Sequence, residues 1–212
     1  TVALDGDTGE VVLDPAAETR SRYEAALARA REQAERDRAE ALLPAETPDG
    51  VRVELAANAG SPAEVAFAME KGAEGVGLLR SEFLFMGRDA APTEEEQFQA
   101  YAEALRNAGG KRVIIRTLDI GGDKDVPYLG LAKEENPFLG VRALRLCFQR
   151  PELFRTQLRA LLRASVHGRL AIMFPMVSGL ADLRRAQEAL AEARRSLEAE
   201  GHPVADDYEV GI

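Results

Sequence analysis

The chain has 212 residues, 46% of them hydrophobic and 30% charged, with a formal net charge of −9 at pH 7 and one cysteine. That composition is globular and soluble, and the acidic balance argues against general nucleic-acid binding. No apolar run reaches membrane-spanning length, no secretory signal opens the chain, and a lone cysteine cannot form an internal disulfide, all of which fits a reducing cytoplasm.

The first fourteen residues read as a hairpin. Thr1-Val2-Ala3-Leu4 and Glu10-Val11-Val12-Leu13 are β-prone, and Asp5-Gly6-Asp7-Thr8-Gly9 supplies the turn. Two strands alone are marginal, so the hairpin is expected to belong to a preceding sheet. Residues 16–43 are expected to be helical, with i,i+4 pairs Glu18–Arg22, Arg20–Glu24, Arg31–Glu35 and Glu32–Arg36. The apolar stripe (Tyr23, Leu27, Ala30, Ala34) is thin and should bury little, as in a solvated linker helix. Two prolines and a glycine between Pro44 and Gly50 break the pattern. The domain reading is therefore a hairpin over 1–14, a linker over 15–50, and a β/α domain over 51–212.

From Val51 strands and helices alternate. Val51–Leu55 is the first expected strand, and Ser61-Pro62-Ala63-Glu64 opens a helix with a capping box and proline at its first position. Gly75–Leu79 is the second strand, ended by Arg80. Thr93-Glu94-Glu95-Glu96 caps a helix presenting Phe98, Tyr101 and Leu105 on one face. Val113-Ile114-Ile115 is the third strand, uninterrupted and β-branched, as in a strand covered on both faces. A helix from Pro151 buries Leu153, Phe154, Leu158, Leu161 and Leu162. Leu170–Phe174 is the fourth strand, Ser178 caps a long helix closed by Gly201, and Tyr208–Ile212 begins a fifth strand. This rhythm predicts a parallel sheet with right-handed crossovers. Periodicity does not choose between a barrel and an open sheet.

Chemistry concentrates where the strands end. Ile114-Ile115-Arg116-Thr117-Leu118-Asp119-Ile120-Gly121-Gly122-Asp123-Lys124 passes from a buried strand into charge and glycine, the usual opening of a ligand crevice. Arg80 ends another strand, and Arg142 follows Asn136-Pro137-Phe138-Leu139-Gly140-Val141. Converging guanidiniums suit a small polyanion, each charge-assisted bond contributing about 1.5–3 kcal/mol. The competing reading pairs each arginine with a local acid such as Glu82 or Asp119. Gly121-Gly122-Asp123-Lys124 is a loose phosphate-loop pattern without the spacing of a nucleotide P-loop, and a tight turn with a surface lysine explains it equally. Asp119 and Asp123 are too few to define a metal site. His167 and His202 read as surface or helix-end residues, and Cys147, among Leu144, Leu146 and Phe148, as a buried thiol.

Taken together, five segments resemble the phosphoenolpyruvate–protein phosphotransferases, enzyme I of the bacterial sugar phosphotransferase system. They are Gly-Ala-Glu-Gly-Val-Gly-Leu-Leu-Arg-Ser-Glu-Phe-Leu-Phe-Met (72–86), Pro-Thr-Glu-Glu-Glu-Gln-Phe (92–98), Arg-Thr-Leu-Asp-Ile-Gly-Gly-Asp-Lys (116–124), Lys-Glu-Glu-Asn-Pro-Phe-Leu-Gly-Val-Arg (133–142) and Ile-Met-Phe-Pro-Met (172–176). The resemblance implies the N-terminal half of a (β/α)8 phosphoenolpyruvate-binding barrel, preceded by a hairpin of a swivelling phosphohistidine domain. It implies transfer of the phosphoryl group of phosphoenolpyruvate to a histidine and then to a histidine phosphocarrier protein, with Mg2+ as cofactor. Carried over by motif, Arg80 and Arg116 grip the substrate phosphate, Arg142 helps hold that anionic end, and Asp119 and Lys124 shape the pocket.

The family's magnesium-binding acids, its substrate-proximal cysteine and the second half of its barrel are expected beyond residue 212, and its phosphorylated histidine upstream of Thr1. The chain is accordingly expected to be a fragment, inactive alone, with neither Cys147, His167 nor His202 inheriting a catalytic role. Unpaired sheet edges predict self-association. Two alternatives stay open: another phosphoenolpyruvate-utilising enzyme, such as pyruvate phosphate dikinase or phosphoenolpyruvate synthase, and a non-catalytic interaction module.

Overall fold

The computed structural model describes residues 1–121 and 126–212. Contacts divide the chain into two compact units, Thr1–Pro44 and Ala45–Ile212. In the first, β1 (Val2–Leu4) and β2 (Val11–Leu13) pair antiparallel. The turn is tied by the Asp5 carboxylate, which accepts from the N–H groups of Asp7 at 2.9 Å and Thr8 at 3.2 Å. Helix α1 (Ala17–Glu40) buries none of its residues, as its thin stripe predicts. Of the expected i,i+4 pairs, Glu32–Arg36 forms at 2.5 Å, whereas Arg22 reaches across to Glu10 at 3.3 Å.

The second unit opens with a short hairpin, β3 (Ala45–Glu46) against β4 (Arg52–Val53). The first strand of the main sheet is therefore not Val51–Leu55. It is β5 (Ala56–Ala59), and Val51, Val53 and Leu55 are exposed. The alternation of Val51-Arg52-Val53-Glu54-Leu55 imitates a half-buried strand, while alanines carry little β-propensity. Packing selects the small residues, because β5 runs close beside its neighbour: a Cβ at Gly77 would lie 3.1 Å from that of Ala56.

The sheet continues through β6 (Gly75–Arg80), β7 (Val113–Arg116), β8 (Leu170–Met173) and β9 (Glu209–Gly211), all parallel and in the order β5-β6-β7-β8-β9. Strand order thus follows chain order without reversal. Helices α2 (Pro62–Glu70), α3 (Glu94–Asn107), α5 (Pro151–Ala164) and α6 (Leu180–Ala199) pack in succession, α2 on α3, α3 on α5, and α5 on α6. Successive strands with successive neighbouring helices are the arrangement of a (β/α)8 barrel. A doubly wound sheet would reverse its order at a switch point. Leu79, Ile115 and Ile172, cross-strand partners or neighbours in register, face the helices and are almost wholly buried.

Local signals set the helix starts. Ser61 Oγ accepts from the N–H of Glu64 at 3.2 Å, and Thr93 with Glu96 forms a complete capping box. The expected cap at Ser178 takes a different form. Ser178 donates to the Asp182 carboxylate through its hydroxyl at 2.5 Å and its N–H at 3.1 Å, and Gly179 stands at the N-cap. A further short helix, α4 (Ala143–Gln149), was not expected from the pattern. It begins at Ala143 in the left-handed region, φ +50°, and runs directly into α5 at Pro151, so its few residues carry no period of their own.

Candidate functional site

Register brings the strand-end arginines together. Arg80 of β6 pairs with Arg116 of β7, and Arg116 with Met173 of β8. Leu79, Ile115 and Ile172 occupy the helix-facing side one residue earlier, so alternation turns Arg80, Arg116 and Met173 to the opposite face, at the C-terminal ends of parallel strands.

Adjacent guanidiniums on neighbouring strands repel one another. Two acids offset this. Arg116 bonds to Glu82, whose side chain is 3% exposed, and lies 3.2 Å from Asp119. Asp119 also accepts from Arg142, at 3.0 Å from Nε and 2.9 Å from the terminal nitrogen. The local-acid pairing weighed from the sequence is thus realised for Arg116 and Arg142, and Asp119 joins them. Arg80 is held otherwise: its guanidinium stacks on the Phe83 ring at 4.7 Å. The ring fits because residue 60 is glycine; a Cβ there would lie 2.6 Å from it. Arg142 is stacked likewise on Phe138 at 4.6 Å.

Three guanidiniums against two carboxylates leave the described part of the cluster positive. Among the described residues, the buried Nε of Arg80, the buried Nε of Arg116 and the Thr117 hydroxyl have no hydrogen-bond partner. Buried donors in that state cost about 1–3 kcal/mol each. Beside Arg116 lies a concavity of about 350 Å3, lined by Arg116, Asp119, Met173, Pro175, Met176 and Ile212, among others. Met176 sits at its rim with φ +57°, a strained value for a residue with a side chain.

Lys124 and Asp123 lie outside the described residues. Among the described residues no group of three or more His, Cys, Asp and Glu is placed to hold a metal ion. Glu82 and Asp119 are both committed to arginines, which does not suit a divalent cation. Cys147 is buried in α4, and burial pushes its thiol up to about 12, so it is not a thiolate nucleophile. His167 packs against Phe98, and His202 lies near Glu200 at a helix end.

Sequence reasoning missed the second layer. Phe83 and Phe138 stand three and four residues from the arginines they stack on, a spacing that carries no meaning before the turns are known. Gln157 was hidden within a helical apolar pattern. It is buried and hydrogen-bonded to both strand-end loops.

Residues 33–212 match the family described as PEP-utilising enzyme, PEP-binding domain, where PEP is phosphoenolpyruvate. Over its whole length the chain is 54% identical to phosphoenolpyruvate-protein phosphotransferase of Staphylococcus carnosus (strain TM300), 52% to that of Bacillus subtilis (strain 168) and 51% to that of Staphylococcus aureus. It spans 37% of the length of each of these relatives. The match of the family model across the β/α unit shows that this chain belongs to the PEP-binding domain family of the PEP-utilising enzymes.

Proposed function

We propose that the crevice at the ends of β6, β7 and β8 binds the phosphate of phosphoenolpyruvate. The observation that carries this reading is the Arg80–Arg116 register pair, whose buried Nε donors have no hydrogen-bond partner among the described residues. Arg80 and Arg116 grip the phosphate. Arg142, fixed through Asp119, helps hold the anionic end, and Lys124, outside the described residues, is assigned to the pocket by its motif alone. Phosphoryl transfer asks a protein chiefly to position the group and neutralise its charge, and rigid guanidiniums do both.

The whole protein, in this reading, is a cytoplasmic transferase that moves the phosphoryl group of phosphoenolpyruvate to a histidine and on to a histidine phosphocarrier protein during sugar uptake. The relatives' names and the family match support this. Mg2+ belongs to that chemistry. The two described carboxylates, Glu82 and Asp119, are paired with arginines and do not fit it. Self-association through the sheet edges is part of the same proposal, to be read by light scattering.

The direct test is titration of the chain with phosphoenolpyruvate, with and without Mg2+, following the amides of Arg80, Arg116 and Gly121 by NMR. Saturable shifts confined to the strand ends, abolished by Arg80→Ala and by Arg116→Ala, are expected. An intact fold with no localised shifts at millimolar ligand would overturn the reading.

A further inference from the structure

Behind the arginines lies a polar chain that phosphate binding does not itself require. Gln157 of α5 is 1% exposed, Tyr101 of α3 1%, Gln97 0% and Ser81 1%. Gln157 Oε1 accepts from the N–H of Leu118 at 2.8 Å. Its Nε2 donates to Ser81 Oγ at 3.0 Å and to Tyr101 Oη at 3.0 Å. Tyr101 donates to Gln97 Oε1 at 3.3 Å, and Gln97 Nε2 donates to the carbonyl of Pro92 at 3.0 Å.

The direction of every bond is fixed. The Leu118 N–H can only donate, so the amide oxygen of Gln157 must face it, and the amide nitrogen must face the two hydroxyls. The Tyr101 hydroxyl, having accepted one bond, turns its own proton to Gln97. Burial pushes its phenol further above the ordinary range, so the proton stays. No member of the chain can be reversed without orphaning another, which makes the arrangement single-valued.

Position gives this chain its meaning. Ser81 directly follows Arg80, and Leu118 lies between Arg116 and Asp119. One side chain therefore ties the loop leaving β6 to the loop leaving β7. Register alone cannot do this beyond the last paired residues, since both strands end at their arginines. We infer that Gln157 is a positioning residue for the anion site, a strap that fixes the separation of Arg80 and Arg116 by holding Ser81 and Leu118 at once. The inference rests on the phosphate-site reading above and extends it to a residue that touches no ligand.

The test compares four kinds of variant of the chain by affinity for phosphoenolpyruvate, thermal midpoint and the Arg80 Nε–H resonance. Gln157→Met keeps the volume and removes every bond of the strap. Ser81→Ala cuts only its Arg80 end, so a misfolded Gln157→Met leaves the question answerable. Tyr101→Phe leaves the strap intact and loosens only its anchor. Misplaced guanidiniums should cost Gln157→Met about tenfold or more in affinity, with Ser81→Ala several-fold weaker than the parent and a displaced Arg80 resonance. Tyr101→Phe should lose thermal stability with affinity nearly unchanged. Parent-like affinity in Ser81→Ala, or an affinity loss in Tyr101→Phe as large as in Gln157→Met, would overturn the inference. Arg80→Ala and Arg116→Ala distinguish the two claims. If both bind as the parent does, the phosphate site itself fails and the strap with it. If both lose binding while Ser81→Ala does not, the strap alone fails.

Discussion

Arg80 and Arg116 are register partners on adjacent parallel strands, yet they are held by different physics. Arg116 is clamped by the carboxylates of Glu82 and Asp119, whereas Arg80 rests on the ring of Phe83. An anion reaching the pair meets one charge already largely neutralised and one that is not. Arg80 should therefore carry the larger share of affinity, and Arg116 the larger share of structure.

That asymmetry predicts unequal costs in stability. Arg116→Ala strips an ion pair from the nearly inaccessible Glu82 and loosens Asp119. It should destabilise the β/α unit by about 3 kcal/mol in urea unfolding, the low end for a buried pair because the Arg116 side chain is partly exposed. Arg80→Ala loses only a stacking contact and should cost no more than about 1 kcal/mol. Equal destabilisation by the two would contradict the assignment.

The aromatic support of Arg80 can be removed without touching Arg80. Phe83 is half-exposed, so Phe83→Leu should change stability little while weakening phosphoenolpyruvate binding several-fold. Gly60→Ala should act alike, since its new Cβ would displace the ring. Calorimetric titration of both variants checks this, and tight binding by either shows that the stack is incidental.

The helix layer carries an acid-sensitive network. Burial alone would raise the Glu94 carboxyl, but hydrogen bonds from Arg159 and Arg163 outweigh it and hold the group low. Hydrogen bonds from Arg159 and Ser196 bring Glu200 from 4.5 to about 2, and those from Arg88 and Thr93 bring Glu96 to about 2. Each group is more acidic folded than unfolded. Its stabilisation is complete above the unfolded value and disappears as pH falls through the folded one. The thermal midpoint should therefore decline between about pH 4.5 and pH 2, and Glu94→Gln should flatten that limb. A midpoint constant across this interval would refute the linkage.

Cys147 offers a probe of opening. Its burial and raised thiol should make it inert to disulfide-exchange reagents at pH 8 in the folded chain and fully reactive in denaturant. Stoichiometric labelling of the native chain within minutes would show that α4 opens readily.

Much of this protein was determined locally. The β/α rhythm, the caps at Ser61 and Thr93, and the arginines ending β6 and β7 follow from short-range pattern. Strand ends and helix starts are set by the few residues that form them. The family resemblance rests on the same contiguous segments. Only the tertiary structure decided what depends on distant partners. Ala56–Ala59 displaces Val51–Leu55 as the first strand of the sheet because small side chains let β5 approach Gly77. Asp119 joins Arg116 to Arg142, and Gln157 reaches back to Ser81 across 76 residues of sequence. Pairing of that kind is chosen by which groups the packed core leaves within reach of each other, and neither period nor propensity encodes it.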